Sequence, residues 1–513
     1  MARHDRSVQG LRRLLTPLSA LLLAASIATC AVVDRGASIN APVDTPVDDT
    51  PPLVLISIDG FRHDYLDRVE LPALERLARN GLQADGLVHI FPTKTFATHY
   101  ALATGLFAEN SGVVANRMWD PERESTFSLG NRDAVGDGFW YDGEPIWNTV
   151  EKAGRIASPN TWPGGAAQIG GRRPTIVRLY DGSVPHDERV DTVLEWLDLP
   201  PDERPLFSTL YFSVVDSTGH DHGPDAPQVV DAMIEVDRAI GRLIEGLEQR
   251  GMLDEVHLLV TSDHGMEPID AERYVLLDDH FPMDRVRASD WGPAAQLWTM
   301  EGGPSADEIV AALADVPQVT AWKKGEAPER YRFDDHKRVP DVTVEADLGW
   351  MISNRDYYRT LLEEGGPGGM HGWDPTWHSM HGIFIAHGPE FVAGSRLPAV
   401  RSVDLYSLMA ALMNVPPAET DGDLRAFRPV LSAEAPTEVD VALWDCRDRR
   451  FVVRSSPGVA SLDAGRRVFA LPRQVSASGV RYGEPGVEYL SKGDLARFEI
   501  DGEVWTDCAR IVR

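Results

Sequence analysis

Three apolar runs in this chain stop on groups that bind cations. Leu53-Val54-Leu55-Ile56-Ser57-Ile58 runs into Asp59-Gly60, Leu210 to Val215 runs into Asp216-Ser217-Thr218-Gly219-His220, and Leu258-Leu259-Val260-Thr261 runs into Ser262-Asp263-His264-Gly265. Each pattern alone has a plainer reading: Asp59 suits a turn or a helix N-cap, Asp263-His264-Gly265 suits a turn, and Asp216 and His220 suit a local hydrogen-bonded pair. Their joint occurrence at three strand ends points to a site, because ligands of open α/β sheets bind at the carboxyl ends of strands, where distant residues converge. Carboxylate and imidazole donors without Cys suit zinc or a similar borderline divalent ion, and a catalytic site keeps a position open for water or substrate.

A fourth segment supplies a nucleophile. Phe91-Pro92-Thr93-Lys94-Thr95-Phe96-Ala97-Thr98-His99-Tyr100 leads into the small-residue helix Ala101 to Gly105. Thr95 therefore stands at a loop-to-helix junction, where backbone amides favour a phosphate. The alternative is that Thr95 is only an N-cap. A Thr hydroxyl is a weak nucleophile at neutral pH and needs metal coordination to act, which fits the metal donors on the other three segments.

The elements that must position these groups alternate short apolar runs with amphipathic stretches, the pattern of a mostly parallel sheet covered on both faces. Strands are expected over Leu53 to Ile58, Leu206 to Val215 and Val256 to Thr261, and helices over Ala73 to Asn80, His186 to Leu197 and Gln228 to Gly251, with a last helix over Ser402 to Leu412. Residues 266–370 are less regular and richer in Trp, Pro and Asp, and read either as an insertion that shapes the mouth of the site or as a structural subdomain. After about Ala433, Phe451 to Val453, Arg467 to Leu471, Val487 to Leu490 and Arg497 to Ile500 read as short strands of a small β-rich appendage, residues 432–513.

The formal charge of −29 over 513 residues excludes a sequence-independent grip on nucleic acid or anionic lipid, which needs a field of Lys and Arg. An acidic protein that handles phosphate esters needs a local positive centre, and bound divalent ions supply one. Arg3, Arg6, Arg12 and Arg13 followed by the apolar run Leu14 to Ala28 form a signal-peptide pattern over residues 1–30, too short for a membrane span. Its end, Ile27-Ala28-Thr29-Cys30, resembles a bacterial lipobox with Thr29 in place of the usual small residue, leaving lipidation at Cys30 and simple release into the periplasm both open. Residues 31–52, rich in Pro, Asp and Thr, read as a flexible tether. Only Cys446 and Cys508 remain after processing, and in an oxidising compartment a disulfide between them is expected.

Together these segments resemble the nucleotide pyrophosphatase/phosphodiesterase family of the alkaline phosphatase superfamily, over most of residues 53–431. The resemblance rests on Asp59-Gly60-Phe61-Arg62, Phe91-Pro92-Thr93-Lys94-Thr95-Phe96, Thr104-Gly105-Leu106 with Gly112 and Asn116, Trp162-Pro163-Gly164, Asp216-Ser217-Thr218-Gly219-His220, Ser262-Asp263-His264-Gly265-Met266 and His371-Gly372-Trp373-Asp374. It implies an alkaline-phosphatase-like three-layer α/β fold and two zinc ions per chain, one on Asp216, His220 and His371, the other on Asp59, Asp263, His264 and the Thr95 oxygen. It further implies a phospho-threonine intermediate and a phosphate oxygen bound by Asn116. The family's His-Gly-x-Asp pattern favours His371 over His378, His381 and His387, while His99 and His222 are expected to be structural. Phe96 matches a position that packs on a nucleobase in relatives, but the partner aromatic is replaced by Val177, with Tyr180 as a substitute. Lys94 and Arg117 flank the site.

The resemblance thus implies hydrolysis of a small phosphodiester or a nucleotide pyrophosphate. A phosphomonoesterase or phosphonate hydrolase of the same superfamily is the near alternative, and a catalytically silent metal-binding surface protein the distant one. A sulfatase is disfavoured, since no Cys or Ser occupies the place of its modified nucleophile.

Overall fold

The protein is described here by a computed structural model covering residues 49–363, 365–431 and 435–511. The signal-peptide reading, Cys30 and most of the tether lie outside the described residues. Strands β1 (Leu53–Ile58), β2 (Leu82–Ala84), β3 (Ala157–Ser158), β4 (Phe207–Phe212), β5 (His257–Thr261), β6 (Phe384–His387) and β7 (Ser395–Leu397) form one sheet in the order β7-β2-β6-β5-β1-β4-β3. β1 pairs in parallel with β4 on one side and β5 on the other, so the three runs that end in acid and imidazole are neighbours and their carboxyl ends share one edge. β6 runs antiparallel to both β5 and β2.

Helices α1 (Pro72–Arg79), α2 (Thr95–Thr104), α3 (His186–Leu197), α4 (Val214–His222), α5 (Pro227–Gln249) and α6 (Arg355–Glu363) are the ones that matter for the site. Side chains alternate across a strand. Leu53 and Leu55 of β1 accordingly join a core with Tyr100 and Ala101 of α2, while Val54, Ile56 and Ile58 join a second core with Leu77 of α1, Val193 of α3 and Ile240 of α5. Both faces are covered, which is why β1 is apolar almost throughout rather than alternating. This is the three-layer arrangement expected.

Two expectations need correction. The run Leu206 to Val215 is not one strand: β4 stops at Phe212, and Val214 and Val215 open α4, with Val215 buried in the second core. Apolar character continues across the turn because both elements face the same core, so the sequence alone hides the boundary. The last helix begins with a 3-10 turn over Ser402–Asp404 before α-helix Leu405–Leu412. The stretch after Met266 contains an ordered antiparallel sheet, Val286–Asp290, Ala294–Thr299, Val342–Ala346 and Val319–Lys323 in that order, packed with Ile309 and Leu313 of helix Ala306–Leu313.

From Asp440 to Ile511 eight antiparallel strands close into a barrel, the last strand returning to the first at Leu443↔Ile511. Its interior holds Trp444, Phe451, Leu462, Phe469, Tyr489 and Phe498, as a barrel of this strand number requires for filling. Closure leaves no open edge. Cys446 and Cys508 are joined by a disulfide. Among the described residues no helix is long and apolar enough to cross a membrane.

Candidate active site

Strand ends and helix starts bring the donors together. Asp59 follows β1, its N–H donating to Phe212 O at 2.9 Å. Gly60 has φ +68, and a Cβ there would lie 2.9 Å from Asp216 Cα and Cβ, so glycine is what lets the two acidic segments meet. On α4, Asp216 in the first turn and His220 in the last are four residues apart and share one face.

The three histidines are oriented alike. His220 Nδ1 lies 2.9 Å from Gly369 O, His264 Nδ1 2.9 Å from Gly265 O, and His371 Nδ1 2.6 Å from Thr93 O. A carbonyl oxygen only accepts, so each Nδ1 carries a proton and leaves Nε2 as the ring nitrogen turned toward a ligand, the orientation of metal-ligating histidines. Those Nε2 atoms face carboxylates: His220 to Asp216 Oδ1 at 3.3 Å, His371 to Asp216 Oδ1 at 3.9 Å, and His264 to Asp263 Oδ2 at 3.0 Å and Asp59 Oδ1 at 3.3 Å. Oδ1 of Asp59, Oδ1 of Asp216 and Oδ2 of Asp263 are buried without a hydrogen-bond donor. Buried anionic oxygens cost free energy unless paired or bound to metal, so the donor set fits divalent ions. Donor atoms of Asp216, His220 and His371 form one tight group, and those of Asp59, Asp216 and His264 another, with Asp216 common to both.

The electrostatics carry the same message. Burial, then Asp263 and Asp216, push Asp59 well above the usual carboxylate range. Burial also raises Asp216. Asp263 is held well below the usual range, because His264 and His99 outweigh its burial. Burial, with His264 and His220 beside it, drives His371 well below the usual imidazole range, so this ring is neutral and able to ligate.

Thr95 is the first residue of α2, and its Oγ1 lies 3.2 Å from His264 Nε2. The preceding Lys94 is extended and acts as the helix boundary, so Thr95 starts the helix rather than capping it. Asn116 Oδ1 accepts from the Phe96 N–H at 2.8 Å, which fixes the amide beside the nucleophile.

Other candidates fall differently. Lys94 is buried, its Nζ donating to Trp291 O at 3.1 Å and lying 3.4 Å from Asp290 Oδ2. The Phe96 ring is only 5% exposed and packs on Phe127 and Tyr141, leaving little face for a base. Tyr180 is 44% exposed, with its hydroxyl 3.0 Å from Ser213 Oγ and its ring edge-on to Tyr211. Val177 is half-buried. His378 and His381 sit with His63, and His387 lies on β6, all apart from the donor groups.

Three residues position the site: Tyr211, which the sequence did not mark, His99, expected there to be structural, and Asp374, known there only as part of the His371 motif. Tyr211 donates its hydroxyl to Asp59 Oδ2. His99, one turn beyond Thr95 on α2, lies 2.8 Å from Thr95 O and 3.3 Å from Asp263 Oδ2. Its i,i+4 spacing from Thr95 was the available signal. Asp374 anchors the loop carrying His371, receiving both terminal nitrogens of Arg330 at 2.9 and 2.8 Å and lying 3.1 Å from barrel residue Arg467.

Comparisons with known proteins agree with this geometry. The model of a family described as type I phosphodiesterase / nucleotide pyrophosphatase matches residues 53–374. A second model, described as membrane-bound lysozyme-inhibitor of c-type lysozyme, matches residues 444–506 of the barrel. Human ectonucleotide pyrophosphatase/phosphodiesterase family member 5 is 35% identical over 393 residues, 76% of this chain and 80% of the relative. The venom phosphodiesterase of Naja atra is 34% identical over 400 residues, and there the match spans 76% of this chain but 47% of the relative, about half its length. The solved murine family member 5, in an inactive threonine-to-alanine form in complex with AMP, superposes with a TM-score of 0.70 at 35% identity, covering 74% of this chain and 100% of that one. One matched span contains the three strand ends, the helix that starts at Thr95 and the loop of His371, and by it this chain belongs to the type I phosphodiesterase / nucleotide pyrophosphatase family of the alkaline phosphatase superfamily.

Proposed function

We propose that the chain is an exported two-zinc hydrolase of phosphodiester or nucleotide pyrophosphate bonds, with Thr95 as nucleophile. The observation that carries this is the common orientation of His220, His264 and His371, each Nδ1 on a carbonyl and each Nε2 aimed at carboxylate oxygens of Asp59, Asp216 or Asp263. Asp216, His220 and His371 would hold one ion, and Asp59, Asp263, His264 and Thr95 Oγ1 the other. Two such ions supply charge stabilisation for the attacking and leaving oxygens of an in-line displacement.

The chain's own groups do the rest. The N-terminus of α2 orients the phosphoryl group above Thr95, and the Asn116 amide donates to one of its oxygens. Thr95 Oγ1 forms a bond to phosphorus as the bond to the leaving oxygen breaks, the hydroxyl proton passing to water and the leaving oxygen departing with the bonding electron pair. Water then attacks the phospho-threonine, releasing the phosphate product and restoring the hydroxyl. AMP in the murine relative supports a nucleotide as the transferred half.

Diesters are expected to outrun monoesters. A monoester brings a second negative charge, and Lys94, the buried cation next to Thr95, is already held by Asp290. We expect kcat/KM for bis(p-nitrophenyl) phosphate to exceed that for p-nitrophenyl phosphate by at least about tenfold, equivalent to about 1.4 kcal/mol, with both rates lost to a chelator. A preference for the monoester would assign the chain to the phosphomonoesterases instead.

The barrel carries a second reading. Its match to the lysozyme-inhibitor model supports a module that binds c-type lysozyme beside the hydrolase. Hen egg-white lysozyme is expected to lose activity on titration with the full-length protein, and unchanged lysis of bacterial walls at excess protein would sink this reading.

A further inference from the structure

A cavity of about 450 Å³ opens at the site, and Phe96, Val177 and Tyr180 are not among the residues that line it. Its wall on the site side is Asn116, His220 and His371, and its far wall is built from the insertion, with Tyr274, Trp291 and Tyr357. This placement has a chemical meaning that rests on the reading of Thr95 as nucleophile. Thr95 Oγ1 stands beside His264, whereas the cavity borders His220 and His371 and not His264. In an in-line displacement the leaving oxygen departs on the side opposite the nucleophile, and therefore toward His220, His371 and the cavity.

The lining says what leaving group fits. Trp291 and Tyr357 lie near-parallel, 20° apart, with centroids separated by 6.5 Å, at the wide end of the about 4.5–7 Å spacing of paired aromatics. Both border the cavity, so a planar ring entering it meets two aromatic surfaces. Trp291 is also tied to the nucleophile's segment, since its carbonyl receives Lys94 Nζ. Arg117 borders the same space and is exposed, next to the fixed amide of Asn116. Nothing in the sequence pattern marked Trp291 or Tyr357, which lie on the insertion and on α6, outside the segments that carry the family resemblance.

We propose that this cavity is the leaving-group subsite and that Trp291 and Tyr357 select leaving groups in which a planar ring is joined to a phosphate. Substrates with a nucleotide on both sides of the scissile bond are then preferred to those that release phosphate alone.

The test compares diadenosine 5′,5′-diphosphate with ADP, which transfer the same half and differ in whether AMP or phosphate leaves. In Trp291→Ala the ratio of kcat/KM for the dinucleotide to that for ADP should fall about tenfold, the size of one lost base–aromatic contact, and Trp291→Phe should restore most of it. Tyr357→Ala should shift the ratio the same way. Tyr357 is 44% exposed on a helix with no buried residue, so that variant should fold. Isothermal titration of diadenosine diphosphate into zinc-loaded Thr95→Ala protein gives a readout free of turnover, and adding Trp291→Ala should raise Kd about tenfold. A ratio within twofold of the parent in both variants, with Kd unmoved, overturns the subsite. A parent protein that cleaves neither compound nor any diester overturns the functional reading itself.

Discussion

Replacing Thr95 with alanine is expected to lower phosphodiesterase turnover by about 10⁴-fold or more, a loss typical of removing a nucleophile, while the protein keeps its metal and its fold. The fold should survive because Thr95 caps nothing: the helix boundary is Lys94, and alanine is a better helix former than threonine at the first position of α2. Metal should remain because six carboxylate and imidazole donors are untouched, and Thr95 Oγ1 reaches the group only through its position 3.2 Å from His264 Nε2. Zinc analysis by mass spectrometry should therefore give the same stoichiometry in parent and variant. Thr95→Ser, which retains an oxygen, should recover a measurable fraction of the rate. Undiminished turnover in Thr95→Ala would remove Thr95 from the mechanism and leave a water as nucleophile.

The strand ends were legible in the sequence because their physics is local. An apolar run that must be buried on both faces is continuous, and Asp59 directly follows the end of β1 while Asp263 follows β5 after Ser262. His220 was legible as a residue but not as a position on a helix, since Val214 and Val215 extend the apolar run past the end of β4. His371 could be told from His378, His381 and His387 only through the family pattern, and the structure brings His371 alone of these to Asp216. The insertion was least legible. Its function lies in which side chains face the cavity, and Trp291 meets Tyr357 through a sheet and a helix some sixty residues apart that no short-range pattern links. Lys94 shows the same limit: the sequence placed it beside the site, but only the structure shows that Asp290 and the Trp291 carbonyl hold its ammonium.

Asp216 should be the acidic residue whose loss does most damage, and in two opposite senses. It is the carboxylate common to both donor groups, with Oδ1 at 3.3 Å from His220 Nε2 and 3.9 Å from His371 Nε2. Asp216→Asn removes the anionic donor that would hold an ion with His220 and His371, so zinc content should fall from two toward one ion per chain and turnover by at least about 10³-fold, as for loss of a metal that supplies much of the charge stabilisation. In the zinc-loaded state the variant should also melt lower than the parent, because a ligand at about a thousandfold its Kd contributes about 4 kcal/mol to the folded state and the variant forgoes much of this. In the presence of a chelator the order should reverse. Without cations Asp59, Asp216 and Asp263 each keep a buried oxygen that lacks a hydrogen-bond donor, and burial raises Asp59 and Asp216, so neutralising Asp216 relieves desolvation and repulsion that the neighbouring histidines offset only in part. Thermal melts of parent and Asp216→Asn, each with zinc and with chelator, separate the two senses. A variant that melts below the parent under both conditions would mean that Asp216 is held by the fold and not by metal, and the assignment of the ion on Asp216, His220 and His371 would fall with it.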